Sequence, residues 1–343
     1  MSVWSEFQPL KSCVVGTLTP AENILPHINL TNRYKKYFKE IIRLGIEELD
    51  NLENVLKSYN VKTFRSIQDY PDNTGKIINT PPLGIRDLFT IYGDNLFVGN
   101  TAFVWNKDVP YSCKHVFNDN KYNSTYELPH HDIFADQFQT FLPNQMERPL
   151  FSTAFVLRCG QDVFISKDLS KDGNEKGRTI FIDWLKNINK DIRIHTVDVS
   201  GHLDGYIFLV RPGLLMTWLS PSQLPEYFKN WDKVYIDNDT NRVLSHLGQH
   251  RHKRYHPVIA QEFYNFLQTN TEETFYNINS LSINENTVLF TGKHKRLFSQ
   301  LEKHGVDCVS VDLRATTFWD NGLHCVTNEL EREGQLEDYE TLT

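Results

Sequence analysis

A chain of 343 residues, 40% hydrophobic and 23% charged, has ample apolar material for a buried core. Its formal net charge of −7 and pI of about 6.0 argue against a general nucleic-acid role, which wants a basic stripe for phosphates. No stretch approaches the roughly 20 apolar residues needed to span a bilayer, and MSVWSEFQPLKS lacks the basic-then-apolar pattern of a secretory leader.

The first strand expected is Cys13–Leu18, followed by a long helix in which Phe38, Ile42, Ile46, Leu49, Leu52 and Leu56 share one face. Further strands are expected at Leu96–Val98, Asp162–Ser166, Ile192–Val199, Tyr206–Val210, Leu214–Leu219, Lys233–Asp237, Val288–Phe290 and Cys308–Leu313. Helical spacing recurs near Thr179–Asn187, Val258–Leu267 and Lys295–His304, with Gly305 where a C-cap glycine would sit. Strands often come in pairs with a helix between pairs, which predicts an α/β or α+β fold. No strict internal repeat is evident and no Gly/Ser-rich or Pro-rich linker divides the chain, so a single domain over 1–343 is expected, with a charged and polar tail over Glu329–Thr343 (336–343 its polar C-terminal part) that can be ordered at its start and frays at its last residues. The five cysteines (Cys13, Cys113, Cys159, Cys308 and Cys325) are scattered, odd in number and free of CxxC pairs. Reduced thiols in a cytoplasmic setting are therefore expected, rather than a disulfide framework or a cysteine zinc site.

Three local patterns could carry chemistry. They are Ile85-Arg86-Asp87-Leu88-Phe89, Gly201-His202-Leu203-Asp204-Gly205 leading into the apolar run YIFLVRPG, and Asp320-Asn321-Gly322-Leu323-His324-Cys325-Val326-Thr327. Each alone has a plain structural reading. A free cysteine is usually a small buried hydrophobe, Asp87 could pair with an arginine, and His202 could be a core histidine. Cys325 nevertheless follows a polar, Gly-containing turn instead of lying in an apolar strand.

Together, and in this order, the three patterns resemble the arginine amidinotransferases of the guanidine-modifying superfamily. The resemblance rests on Arg86-Asp87, on His202-Leu203-Asp204 with Pro212-Gly213 beyond it, on Arg158-Cys159-Gly160-Gln161-Asp162-Val163-Phe164, and on the Gly322-to-Thr327 turn. It runs from about residue 5 to residue 335. It implies a five-bladed α/β propeller of the pentein type with the active site in the central channel. It further implies a small-molecule guanidine donor such as arginine, an amine acceptor, no organic cofactor and no metal, and it is compatible with a homo-oligomer.

The chemistry explains why such residues would be assembled. A guanidinium is a planar cation of weak electrophilicity. Carboxylates match its N–H fork and hold it flat, the role the resemblance gives to Asp87 and Asp204, with Arg86 and His324 as further substrate contacts. Cys325 as thiolate would attack the central carbon, and His202 would protonate the departing amine and later deprotonate the incoming one. Water in place of the amine would make a deiminase or hydrolase.

Three departures bear on this reading. The family's acid that orients the histidine falls here at Phe155, within Phe151-Ser152-Thr153-Ala154-Phe155, which points to a catalytically impaired guanidine-binding protein as a further alternative. Asp132 and Asp136 are near enough in sequence to stand in for it. No arginine matches the one expected to grip the donor's carboxylate, the local segment being Thr217-Trp218-Leu219-Ser220-Pro221, and Arg211 lies closer in. The third is a probable insertion around 238–280 carrying His246, His250, Arg251, His252, Lys253, Arg254 and His256. His246 and His250 are spaced for one helix face, but no Glu follows His246 in the HExxH manner, so a solvated basic loop, or one that meets an anionic group on the acceptor, is expected there rather than a metal site.

Overall fold

The computed structural model describes residues 1–25, 32–67, 83–100, 112–129, 148–169, 173–236, 277–316 and 321–340. The strands, in chain order, are β1 (Leu10–Val15), β2 (Lys62–Arg65), β3 (Phe89–Tyr92), β4 (Asn95–Val98), β5 (Ser124–Glu127), β6 (Val156–Cys159), β7 (Asp162–Asp168), β8 (Arg193–Ser200), β9 (Ile207–Arg211), β10 (Leu214–Thr217), β11 (Asp232–Tyr235), β12 (Leu281–Asn284), β13 (Thr287–Thr291), β14 (Asp307–Val311) and β15 (Thr327–Arg332). The α-helices are α1 (Ala21–Ile24), α2 (Asn32–Ser58), α3 (Lys114–Asp119), α4 (Glu175–Ile188) and α5 (Lys295–Lys303).

These strands form five three-stranded sheets, ordered β15-β1-β2, β3-β4-β5, β6-β7-β8, β9-β10-β11 and β12-β13-β14. One topology repeats in all of them. An antiparallel pair is joined to a third strand that runs parallel to the middle one. In four sheets the antiparallel pair is a local hairpin. In the first, the pair is made by β1 and β15, so the two ends of the chain close the ring of blades. Parallel neighbours need a crossover, and helices α2, α3, α4 and α5 lie in it in four of the sheets. The repeat lies in topology, with no matching residue periodicity, which is why the sequence shows none. The α/β five-bladed architecture agrees with the expectation.

The two edges of each sheet differ. Strands β3 and β6 are buried along their whole length, and β9, β12 and β15 nearly so. The opposite edges, such as β5 and β2, are exposed or half-exposed. The buried edges therefore lie inward. Apolar clusters fill the spaces between sheets. Phe97 of the second sheet, Phe151, Val163 of the third and Phe181 of α4 share one cluster, and Phe38, Ile42, Leu49, Leu52 and Leu56 of α2 pack with Leu281 and Leu289 in another.

Where sequence and structure differ, the reason is physical. Strands β2, β3, β5, β6, β12 and β15 were not expected. β15 carries Asn328, Glu329 and Arg332, polar residues that would ordinarily mark a surface and are here buried. The start of the tail is held by specific contacts. Tyr339 is buried against Phe7 (ring centroids 5.3 Å apart), Gln161 N–H donates to Glu337 O (2.9 Å), and Arg193 binds Asp338 and Asp162. The expected helix near Val258–Leu267, the histidine and basic cluster from His246 to His256, the insertion around 238–280 as far as residue 276, and the tail residues 341–343 lie outside the described residues. Among the described residues no helix is long and apolar enough to cross a membrane.

Candidate active site

Each inner strand is entered by a short turn, and these turns carry the site. Asp87 ends the 3-10 turn before β3, Phe155 the turn before β6, and Asp204 lies in the turn before β9. Asn279 and Cys325 each stand two residues ahead of their strands, β12 and β15. Ring closure thus brings five turns distant in sequence to one place.

The turns lock one another. Thr153 Oγ donates between the carbonyls of Arg86 (2.5 Å) and Phe89 (2.8 Å). Asn328 Nδ2 reaches Ile85 O and Phe89 O from the other side. The Cys325 turn is closed by Val326 N–H to Gly322 O (3.1 Å) and Thr327 Oγ to Leu323 O (2.8 Å). A Cβ at Gly322 would meet Asn279 Oδ1 at 2.5 Å, so only glycine allows this approach.

At the centre, Asp204 Oδ2 accepts from His324 Nδ1 (2.9 Å) and Asn279 Nδ2 (3.1 Å), and lies 3.6 Å from Cys325 Sγ. Asn279 Oδ1 accepts from Cys325 N–H (3.0 Å), and its Nδ2 is 3.2 Å from Sγ. His202 Nδ1 lies 3.6 Å from Asp87 Oδ1, both partly exposed. The structure therefore joins Asp204, His324 and Cys325 directly and pairs His202 with Asp87.

Below them lies a buried ion network. Glu6 binds Arg158 through both oxygens (2.8 and 3.1 Å). Glu329 takes Arg86 (2.6 Å), Arg158 (2.8 Å) and Arg332 (3.0 Å). His324 Nε2 approaches Glu6 at 3.4 Å, so the network reaches the residue beside the thiol. Arg86, expected at the substrate, instead turns its guanidinium into this network at 2% exposure. His324 is likewise buried and braces Asp204. Donor atoms of Glu6, His324 and Glu329 lie within 4.8 Å of one another, but both carboxylates are engaged by arginines, whose charge opposes a cation there.

The electrostatics follow from this packing. Burial pushes the Cys325 thiol well above the ordinary cysteine value, and the charges of Asp204 and Asp87 push it further, while the Gly322 backbone contact and Asn279 amide act the other way. Burial alone would raise Asp204, but the His324 hydrogen bond and the His324, His202 and Arg86 charges hold it below the usual carboxylate value. Burial and Arg86 disfavour a proton on His324, yet its bonds to Asp204 and Glu6 prevail and raise it.

Two of the departures acquire geometry. Phe155 is fully buried and meets the His202 ring edge-on at 5.3 Å. Asp87 is then a carboxylate within ion-pair reach of His202, while Asp132 and Asp136 lie outside the described residues. Arg211 sits at the far end of β9 from the site and donates to His304 O and Asn286 Oδ1, so it does not face a donor held at Asp204. Sequence reasoning missed Asn279 and Glu6, which stand in no recognisable motif. A carboxylate between the aromatic residues Trp4 and Phe7 was the signal available for Glu6.

No protein-family model matches the chain. Among curated proteins it is 26% identical over 198 residues to inosamine-phosphate amidinotransferase 1 of Streptomyces glaucescens (56% of this chain, 49% of that protein). It is 23% identical over 199 residues to the L-arginine:L-lysine amidinotransferase of Pseudomonas savastanoi pv. phaseolicola (56% and 47%). The chain thus spans about half the length of these relatives. Against mitochondrial glycine amidinotransferase of Gallus gallus the match is 21% and covers 98% of this chain and 84% of that one. The amidinotransferase of saxitoxin biosynthesis from Microseira wollei superposes with a TM-score of 0.70 at 18% identity, covering 98% and 99% of the two chains. The chain resembles the amidinotransferases and has the pentein fold. A dimethylarginine dimethylaminohydrolase shares this amidinotransferase-like fold more distantly, with a TM-score of 0.62 at 10% identity over 94% of this chain and 100% of that one.

Proposed function

We propose that this protein is a cysteine-dependent amidinotransferase that moves an amidino group from arginine, or a related guanidine, to an amine. The observation that carries the reading is the contact of Cys325 Sγ with Asp204 Oδ2 at 3.6 Å, with the Asp87 charge also acting on the thiol. A thiol held protonated by carboxylates is poorly reactive alone. A guanidinium seated on those carboxylates neutralises them, so the bound substrate favours the thiolate that attacks it.

In the first half-reaction Sγ bonds to the guanidinium carbon and the C–N bond to the ornithine nitrogen breaks. The thiol proton passes through His202 to that nitrogen. In the second, an amine attacks the amidino-thioether carbon, the C–S bond breaks, and the amine's proton passes by way of His202 to the departing sulfur, which regenerates the thiol. Asp204 and Asp87 hold the planar cation throughout. Arg86 and His324 serve as supports for Asp204 and for the Cys325 turn. The reaction as written needs no cofactor.

A second reading draws on Phe155. With an apolar ring against His202 and Asp87 at 3.6 Å, seating a guanidinium on Asp87 takes that carboxylate from the histidine. That arrangement favours a guanidine-binding protein with little turnover. Water as acceptor is the remaining variant of the same chemistry: if ornithine leaves first, water releases urea from the amidino-Cys (a hydrolase), and if ammonia leaves first, with the ornithine nitrogen kept, water releases citrulline (a deiminase).

Ornithine release from arginine, measured with and without a panel of primary amines, separates these. Amine-dependent release that Cys325→Ala abolishes, with arginine binding retained, supports transfer. Citrulline formation without amine identifies a deiminase, and binding without product leaves the binding protein.

A further inference from the structure

The five entry turns supply Asp87, Phe155, Asp204, Asn279 and Cys325. The sequence motifs give Asn279 no role, yet it touches both the nucleophile and the carboxylate beside it. Its orientation is fixed by its partners. The backbone N–H of Cys325 can only donate, so the atom 3.0 Å away must be the amide oxygen. Asp204, held ionised, can only accept, so the atom 3.1 Å from its Oδ2 must be the amide nitrogen. That nitrogen carries a second hydrogen, and Sγ lies 3.2 Å from it. Asn279 O also accepts from His324 N–H (3.3 Å).

We infer that Asn279 is a positioning residue that clamps the Cys325 turn through its oxygens and supplies through Nδ2 the hydrogen-bond donor that lets a thiolate stand beside Asp204. Protonated, Sγ can donate to Asp204 Oδ2. Ionised, it would face that carboxylate at 3.6 Å with repulsion alone, unless a donor lies between them. Asn279 Nδ2 contacts both and is that donor; the Gly322 backbone also eases ionisation of Sγ, against the charges of Asp204 and Asp87, but only Asn279 bridges the sulfur and Asp204 among the described residues. The inference deepens the proposed amidino transfer and rests on Cys325 acting as its nucleophile, but the thiol can be tested without substrate.

The test is alkylation of Cys325 by iodoacetamide as a function of pH, read by peptide mapping, in wild type, Asn279→Ala and Asn279→Asp. Asn279→Asp retains an acceptor for the Cys325 N–H and removes the donor, so it separates holding the turn from stabilising the sulfur. Cys308, partly exposed, is the reference within each sample, and the buried Cys13, Cys113 and Cys159 report loss of fold. A charge-assisted hydrogen bond of the usual strength corresponds to a loss in Cys325 labelling of about tenfold or more at fixed pH. The expected result is that loss in both variants, with the profile moved to higher pH and the other four cysteines labelled as in wild type. A wild-type pH profile in Asn279→Asp overturns the inference. So does labelling of the buried cysteines in both variants, which would make Asn279 a structural residue. If the profiles shift as expected but wild type yields no ornithine from arginine, the reaction is wrong and the role of Asn279 stands.

Discussion

Replacing Glu329 by Gln tests the scaffold beneath the site. Its carboxylate is 1% exposed and meets Arg86 at 2.6 Å, Arg158 at 2.8 Å and Arg332 at 3.0 Å. Removing the charge leaves these buried guanidinium groups with Glu6 as the one carboxylate, among the described residues, still in contact with the cluster, through Arg158. Breaking a buried ion pair by deleting one partner costs about 3–5 kcal/mol. Because one group serves all the pairs, the losses do not add, and about 4 kcal/mol is expected. That is a large share of the roughly 5–15 kcal/mol by which domains are stable. Equilibrium urea unfolding should show a lower midpoint with an unchanged m-value. Glu333→Gln, which loses an exposed pair with Lys11, should change stability by about 1 kcal/mol or less. The pH dependence gives a second reading. The Glu329 carboxyl lies well below its ordinary 4.5, because the Arg86, Arg158 and Arg332 charges overcome the opposing effect of burial. A depressed carboxyl contributes stability that is full above its unfolded value and is lost as pH falls toward the folded one. Wild type should therefore lose stability below about pH 4.5, and the variant should lose less over that range. A destabilisation under about 1 kcal/mol, or an unchanged acid limb, would refute the account of this network.

Asp204→Asn should weaken guanidine binding by roughly tenfold to a hundredfold in calorimetry, and should also speed Cys325 alkylation at fixed pH, because a charge that raises the thiol is gone. Both readouts moving in the same direction would contradict its dual placement. Glu48, raised by burial to about 7 and accepting from Ala315 N–H, binds its proton more tightly in the folded state, so stability should fall between about pH 4.5 and 7 and Glu48→Gln should flatten that slope. An unchanged slope in urea titrations across that range would remove Glu48 from the explanation. Tyr339→Ala should cost about 3 kcal/mol of tail docking and open residues 333–340 to limited proteolysis, with wild-type resistance to cleavage as the contrary result.

Much of the candidate site was legible because the proposed chemistry calls for rare residue types in a fixed order. Asp87, His202, Asp204 and Cys325 stood out for that reason, and α2 announced itself through its apolar face. The strands that carry the site were harder to see. β6 and β15 include Arg158, Glu329 and Arg332, charges that pattern reading assigns to a surface and that here neutralise one another in the interior. Asn279 had no local signal, since its role exists only once β12 is set beside the Cys325 turn by ring closure. The ion pair of Arg86 had no local signal for a related reason. Its neighbour Asp87 faces His202 while Arg86 itself turns to Glu329, and one residue of offset on a tight turn separates the two directions.

The central claim is that Cys325 carries the amidino group between donor and acceptor. Intact-protein mass spectrometry after mixing with arginine, followed by peptide mapping and with Cys325→Ala as control, tests it most directly. The account predicts an amidino adduct on Cys325 that an amine discharges, with ornithine already released. Arginine bound at the site with no adduct on Cys325, or an adduct on another residue, would contradict it.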